Sequence, residues 1–382
     1  MSEERGLLRG ISWHECFPWL ILFRATLVAF YLRVLFLAYV AVCLLSLGHW
    51  IGFHLFGSWT AEGAAPVLAA SPVNFLDVVQ RGLTGENPFQ SLFPAPTFGG
   101  LLTFLFFSLW YIATFAIFGG AIARIAAMEF SVNDRCGIKA ALGHSLRKFL
   151  AYFLSPLFPM IGVTMLMVIL LLFGLINWIG PWAAVITGIV GFLAVLVALG
   201  ISMLIVPLVL GWPLMWGTIS TECSDHFDAL SRCYAYVTQR PFHYLWYLLV
   251  AFVGGSVGFF AVSLLTGTAI AALQTGLRWG QGADQTAAIM EHGVAGPIWR
   301  FWFSAIAYLA HAYLFGYFFA VFAGIYLLLR RDVDQAEMDE IVLDDDQPRF
   351  AMPALNKDLG GDEEPDDAND TNSNAANSEE ST

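Results

Sequence analysis

From Phe149 to Thr221 the chain runs 73 residues without an Asp, Glu, Lys or Arg. About 20 apolar residues suffice to cross the hydrocarbon of a bilayer. The stretch is long enough for two crossings joined by a hairpin. Its middle carries Asn177-Trp178-Ile179-Gly180-Pro181, aromatic and turn-forming residues suited to a membrane interface. Composition agrees: 58% of residues are hydrophobic and 13% charged, where a soluble domain carries about 25% charged residues. These values exclude a disordered chain and a nucleic-acid-binding domain, and they speak against a soluble enzyme.

Further charge-free stretches predict an all-α fold, a polytopic transmembrane helix bundle with about six crossings. These fall at roughly 34–55, 101–123, 153–176, 182–206, 244–270 and 301–329. Residues 1–33 read as a cytosolic or interfacial amphipathic segment, with a helix over about 12–31 on the membrane surface and Arg33 snorkelling to the headgroups. Residues 34–331 form the membrane domain, with an outer loop over 57–97. In that loop Ser71-Pro72 starts and Gly82 stops a short helix. Residues 332–382 carry 17 acids against two bases and read as a largely disordered acidic tail. With the N-terminus inside, 13 of the 18 Lys and Arg residues fall on the inner side and three on the outer. The expected location is the cytoplasmic (inner) membrane, multi-pass, with both termini cytosolic.

Two stretches resemble each other. One runs from Gly119-Gly120 through Glu129 to Ala140-Ala141-Leu142 and Ser145. The other runs from Gly211-Trp212-Pro213 through Glu222 to Asp228-Ala229-Leu230 and Cys233. Each starts with Gly near the inner end of a crossing, passes a Glu and enters an amphipathic helix on the cytosolic side before the next crossing. An internal duplication in parallel orientation is the expectation. The segments Gly119-Gly120-Ala121-Ile122-Ala123-Arg124, Gly211-Trp212-Pro213-Leu214-Met215 and Asp225-His226-Phe227-Asp228-Ala229-Leu230-Ser231-Arg232 are similar to an uncharacterised group of polytopic membrane proteins best known from planctomycete-type bacteria. More distantly, the Ala-Leu helix before a crossing looks like the repeat of YciC-like proteins and glycerophosphodiesterase membrane domains. The resemblance covers about residues 100–260. It implies a polytopic fold and brings no activity.

The densest polar cluster is Glu222, Asp225 and Asp228 with His226, Arg232 and Arg240. Spacing of three places the acids along one side of a helix, and Asp228 and Arg232 are i,i+4 partners. A cation site or an acid–base pair is one reading. An ion-pair network that pins this helix to the bundle is the preferred one, because three carboxylates alone lack the pattern of a metal motif. Glu129, with Arg124, Asp134, Arg135, His144, Arg147 and Lys148, forms a more basic counterpart. It suits anionic headgroups or ion pairs to the second stretch.

The predicted crossings contain no Asp, Glu or Lys, which counts against ion-coupled transport. His311 is expected to be buried and bonded to a carbonyl or hydroxyl, and His49 and His54 to be interfacial. Gly254-x-x-x-Gly258 and Gly316-x-x-x-Ala320-x-x-x-Gly324 predict close helix contacts within the chain. The five cysteines form no C-x-x-C pair, so no disulfide framework or zinc site is expected. No catalytic residue, cofactor-binding residue, metal ligand or cofactor is assigned. Expected partners are the lipid bilayer and proteins docking through the acidic tail or outer loop, with no nucleic acid. The chain is expected to be a non-enzymatic membrane protein that organises or assists a membrane complex. Alternatives are a channel or facilitator for a small or lipidic solute, and a lipid-modifying membrane enzyme.

Overall fold

The computed structural model describes residues 17–57, 98–282, 285–286, 289 and 295–341. A 3₁₀ turn at Pro18–Leu20 leads into α1 (Ile21–Ala29), which breaks at Phe30 and Tyr31 before α2 (Leu32–Phe56). Next, α3 (Phe98–Thr114) passes through a π turn at Phe115–Gly119 into α4 (Gly120–Ser131). The helix α5 (Ile138–Arg147) precedes α6 (Phe149–Ile176). A 3₁₀ turn at Asn177–Ile179 and the short α7 (Pro181–Ile189) return the chain into α8 (Gly191–Glu222). Then follow α9 (His226–Gln239), α10 (Pro241–Gln281) and α11 (Ala295–Asp334). No strand occurs among the described residues.

Six helical stretches are long and apolar enough to cross a membrane: α2, α3 through α4, α6, α8, α10 and α11. They run past the hydropathy limits because helix hydrogen bonding propagates beyond the first charge until a turn or cap stops it. The fourth starts at Gly191 rather than near 182, since the chain breaks at Val190 between Gly188 and Gly191 and leaves Pro181–Ile189 as a separate helix.

One unit occurs three times in chain order: a short helix, an outer crossing and an inner crossing. The units are α1–α2–α3/α4, α5–α6–α8 and α9–α10–α11. The inner members α4, α8 and α11 pack on one another, and each outer member packs on the inner one that follows it. Each short helix lies against an inner crossing: α5 on α4, α9 on α8 and α1 on α11. The two similar sequence stretches therefore occupy equivalent places. The first unit, of which the sequence similarity covers only α4, has the same order.

The core sits around α11. Of its most apolar stretch, 94% is buried, against 6% for α6 and for α8. Small residues permit this packing. Gly316 faces Val34 of α2, Gly324 faces Leu22 and Phe130, and Gly254 and Gly255 of α10 lie against Tyr317. At Gly258 the Tyr313 hydroxyl takes up the space of a Cβ. The Gly-spaced motifs thus serve contacts within the chain.

Two boundaries differ from the sequence reading. The helix expected at 12–31 does not lie alone on a surface: in α1, Ile21, Leu22, Ala25, Val28 and Ala29 are buried against α11 and α10. Alanines at 25 and 29 let its backbone approach. The division between body and tail at 331/332 falls inside α11, because Asp332 and Asp334 are still helical and hydrogen-bonded to Tyr247 and Tyr236. The outer-loop helix at 71–82 and the tail beyond Ile341 lie outside the described residues.

Candidate functional site

The acids of the second similar stretch are not on one helix. Glu222 is the last residue of α8, which stops because Cys223 turns left-handed (φ 54°). Asp225 is the extended residue before α9, and Asp228 lies in the first turn of α9. A carboxylate there is favoured by the helix dipole. Arg232, one turn on, gathers the acids: its Nε is 3.1 Å from Asp228 Oδ1 and its Nη1 2.7 Å from Glu222 Oε1.

Two residues of α11 complete the cluster. Tyr326 donates its hydroxyl to Glu222 Oε1 at 2.6 Å, and Arg330 Nε lies 3.1 Å from the same oxygen. One carboxylate oxygen thus joins the ends of α8, α9 and α11. Asp334 Oδ2 lies 3.7 Å from Arg232 Nη1 and accepts the Tyr236 hydroxyl. Asp332 accepts from Tyr247 of α10 at 2.6 Å. Burial opposes the charge on Arg232, but its bond to Asp228 and the nearby Glu222 carboxylate hold its guanidinium above the ordinary arginine range. Burial, then the bond to Asp334, pushes the Tyr236 hydroxyl well up, so it stays a donor.

Asp225 and Arg240 are exposed flanks of α9 and are not drawn into this network. His226 packs its ring beside Phe158 and Phe227. The sequence reading paired Asp228 with Arg232 correctly, but Glu222 is the better buried anion, with a side-chain exposure of 12% against 44% for Asp228.

Glu129 ends up beside the N-terminal helices. Its Oε2 lies 3.3 Å from Arg33 Nη2, and Tyr31 donates to Oε1 at 3.0 Å. Arg33 also donates to the Cys136 carbonyl at 2.9 Å, and Arg24 to Asn133 Oδ1 at 2.7 Å. Arg33, expected to reach toward headgroups, is turned inward by a buried carboxylate instead. The basic residues near Glu129 lead elsewhere: Arg124, 2% exposed, donates to the Ser220 carbonyl at 2.6 Å, and Lys148 donates to the Cys223 carbonyl. Both cations therefore sit at the C-terminus of α8, where its dipole favours them.

The interrupted crossings are repaired by side chains from neighbouring helices. At the π turn, Trp216 donates to the Phe115 carbonyl at 3.1 Å, and Ser145 Oγ lies 2.7 and 2.6 Å from the Ala116 and Ile117 carbonyls. In α8, which holds Pro207 and Pro213, Tyr234 donates to Leu204 at 2.6 Å, Tyr244 to Leu210, and Cys233 to Gly211 at 2.9 Å. Ser145 and Cys233 occupy the same step of their units, each four residues after a buried alanine, Ala141 or Ala229. A further buried chain runs from His144 Nε2 to the Tyr152 hydroxyl (3.3 Å) and on to Ser220 Oγ (2.9 Å).

Sequence reasoning missed Tyr326, Arg330 and Tyr31 as partners. Their signal was weak: an Arg or Tyr at the end of an apolar helix, about 100 positions from its acid. His311 bonds the Ala307 carbonyl at 3.2 Å as expected, but its side chain is exposed rather than buried. His54 bonds the Trp50 carbonyl at 2.8 Å. Among the described residues no group of three or more His, Cys, Asp or Glu is placed to hold a metal. The network's chemistry is that of a clamp, in which each central carboxylate is held by arginine and tyrosine donors from distant helices. Comparison with protein-family models, curated proteins and solved structures finds no match to this chain.

Proposed function

We propose that the protein is a non-enzymatic component of the cytoplasmic membrane, with both termini in the cytosol, that organises or assists a membrane complex. One observation carries this reading. The helix α6 and the part of α8 before Gly211, with α7 between them, form a two-helix arm with little cover from the rest of the bundle; from Gly211 on, α8 is buried against α4, α9 and α11. Trp178, Trp182 and Met203 on it are 92%, 84% and 79% exposed. The other helices are tied together at the polar end by the Glu222 and Glu129 networks, so the bundle is a fixed base for an arm that contacts another transmembrane protein. The test is a photo-crosslinking residue at Leu199 or Met203 in native membranes, with Phe260 of α10, 69% exposed, as the control. Defined protein adducts from the arm and none from Phe260 support the reading. Lipid adducts alone from all three positions overturn it.

The interrupted crossings favour a second reading, a channel or facilitator, since discontinuous helices often line solute paths. Solute flux into liposomes holding the purified protein would move the conclusion there.

A further inference from the structure

The three short helices are equivalent in order but not in cover. The helix α9 is overlaid by α6, with Phe158 edge-on to Phe227 at 4.5 Å between ring centres. The first, α1, is overlaid by α10, with the preceding Trp19 edge-on to Trp246 at 6.0 Å. By the same order α2 would overlie α5, yet among the described residues α2 makes no comparable packing against α5.

The consequence is visible residue by residue. Counted from the buried alanines Ala141 and Ala229, Leu142 matches Leu230 and Leu146 matches Tyr234. Tyr234 is tucked in, with its hydroxyl on the Leu204 carbonyl of α8. Leu146 is 58% exposed, and Leu150, one turn on in α6, is 67% exposed. Leu142 and Leu146 are one turn apart on one flank of α5, with Leu142 half-buried against the core, and Leu150 lies beyond the break at Lys148 on α6. The opposite face is held to the bundle by Ala141, His144 and Ser145.

Charge distinguishes this flank further. The sequence of α5 holds Lys139 and Arg147 and no acid, and Arg135 precedes it; all three cations are exposed. The equivalent helix α9 is preceded by the exposed Asp225, whereas the acid before α5, Asp134, is half-buried beside Arg135. The helix α5 lies where one candidate membrane span, ending at Ser131, gives way to the next, starting at Phe149. That is the polar end of the bundle, where the Glu222 and Glu129 networks also lie. An apolar flank beside cations at this level matches an anionic phospholipid, with acyl chains on the leucines and phosphate near the lysine and arginine.

We propose that the flank of α5 left open by the described residues binds an anionic phospholipid, held by Leu146 and Leu150 and by Arg135 and Lys139. The lipid fills the place that α6 fills for α9 and α10 fills for α1. Lys148 is not part of this site, because its ammonium is directed to the Cys223 carbonyl.

The full-length protein in mild detergent, titrated with phosphatidylglycerol or phosphatidylcholine and followed by native mass spectrometry, tests this. Phosphatidylglycerol should bind more tightly. The double variant Arg135→Gln, Lys139→Gln should weaken it about thirtyfold, and Lys139→Gln alone about fivefold, leaving phosphatidylcholine unchanged. Leu146→Ser should weaken both lipids, and Arg240→Gln on α9 should change neither. A thermal midpoint without lipid checks folding; if the double variant does not fold, the single variant carries the comparison. Equal binding of the two lipids, unchanged phosphatidylglycerol binding in the variants, or displacement by millimolar inorganic phosphate would each overturn the proposal. So would a protein adduct, in place of a lipid adduct, from a photo-crosslinking residue at Leu146.

Discussion

Glu222 is the residue whose loss should hurt the fold most. Its Oε1 takes donors from Arg232, Arg330 and Tyr326, and its side chain is 12% exposed. Breaking a fully buried ion pair from one side costs about 3–5 kcal/mol. Arg330 is 13% and Arg232 33% exposed, so water recovers part of that cost, and Glu222→Gln should destabilise by about 2–3 kcal/mol. Asp228, 44% exposed, faces Arg232 only at the rim, so Asp228→Asn should cost about 0–1 kcal/mol. Arg330→Gln should resemble Glu222→Gln. The double variant Glu222→Gln, Arg330→Gln should cost about 1–2 kcal/mol less than the sum, because no lone buried charge remains. Thermal unfolding of these variants in one detergent, at fixed protein concentration, gives the comparison. If Asp228→Asn proved costlier than Glu222→Gln, or the Glu222 and Arg330 changes were strictly additive, the three-donor clamp would be refuted.

Ser145→Ala should destabilise by about 1–3 kcal/mol, since it strips a donor from buried carbonyls of the π turn. Ser145→Cys should be milder because Cys233 does the equivalent task; unfolding midpoints decide. Gly258→Ala should cost about 1–3 kcal/mol by displacing Tyr313, while Gly188→Ala, with open space around it, should be nearly neutral in the same assay. Truncation after Arg331 should lower the unfolding midpoint relative to truncation after Ile341, because only the longer chain keeps the Asp332–Tyr247 and Asp334–Tyr236 bonds. Cysteine labelling of intact cells near Glu86 and Asp284 should succeed and near Asp134 should fail; the reverse pattern inverts the proposed orientation.

The bilayer as solvent and the number of crossings were legible because hydrophobic length is a property of contiguous residues, and six apolar helices are found where charge-free stretches stood. The Asn177–Pro181 turn was readable for the same reason, being local chemistry. So was the i,i+4 pair of Asp228 and Arg232. Sequence similarity matched α4–α5 with α8–α9; that α1 and α2 follow the same order is exposed only by the packing of α1 on α11 and α2 on α3.

What tertiary structure alone decided is which charge meets which. Glu222 and Arg330 are 108 positions apart, and Arg33 and Glu129 are 96 apart. Local periodicity carries no information about such pairs. In a folded bundle the choice follows from burial: a carboxylate shut away from water at a helix end must take whatever donors the neighbouring helices bring. Thus Arg33, read as an interfacial cation, turns inward, and Asp332 and Asp334, read as tail, become part of the last helix. The open flank of α5 is likewise a fact of packing. Its leucines and lysine are plain in the sequence, but that none of the described helices covers them depends on where α2 settles against α11 and α3.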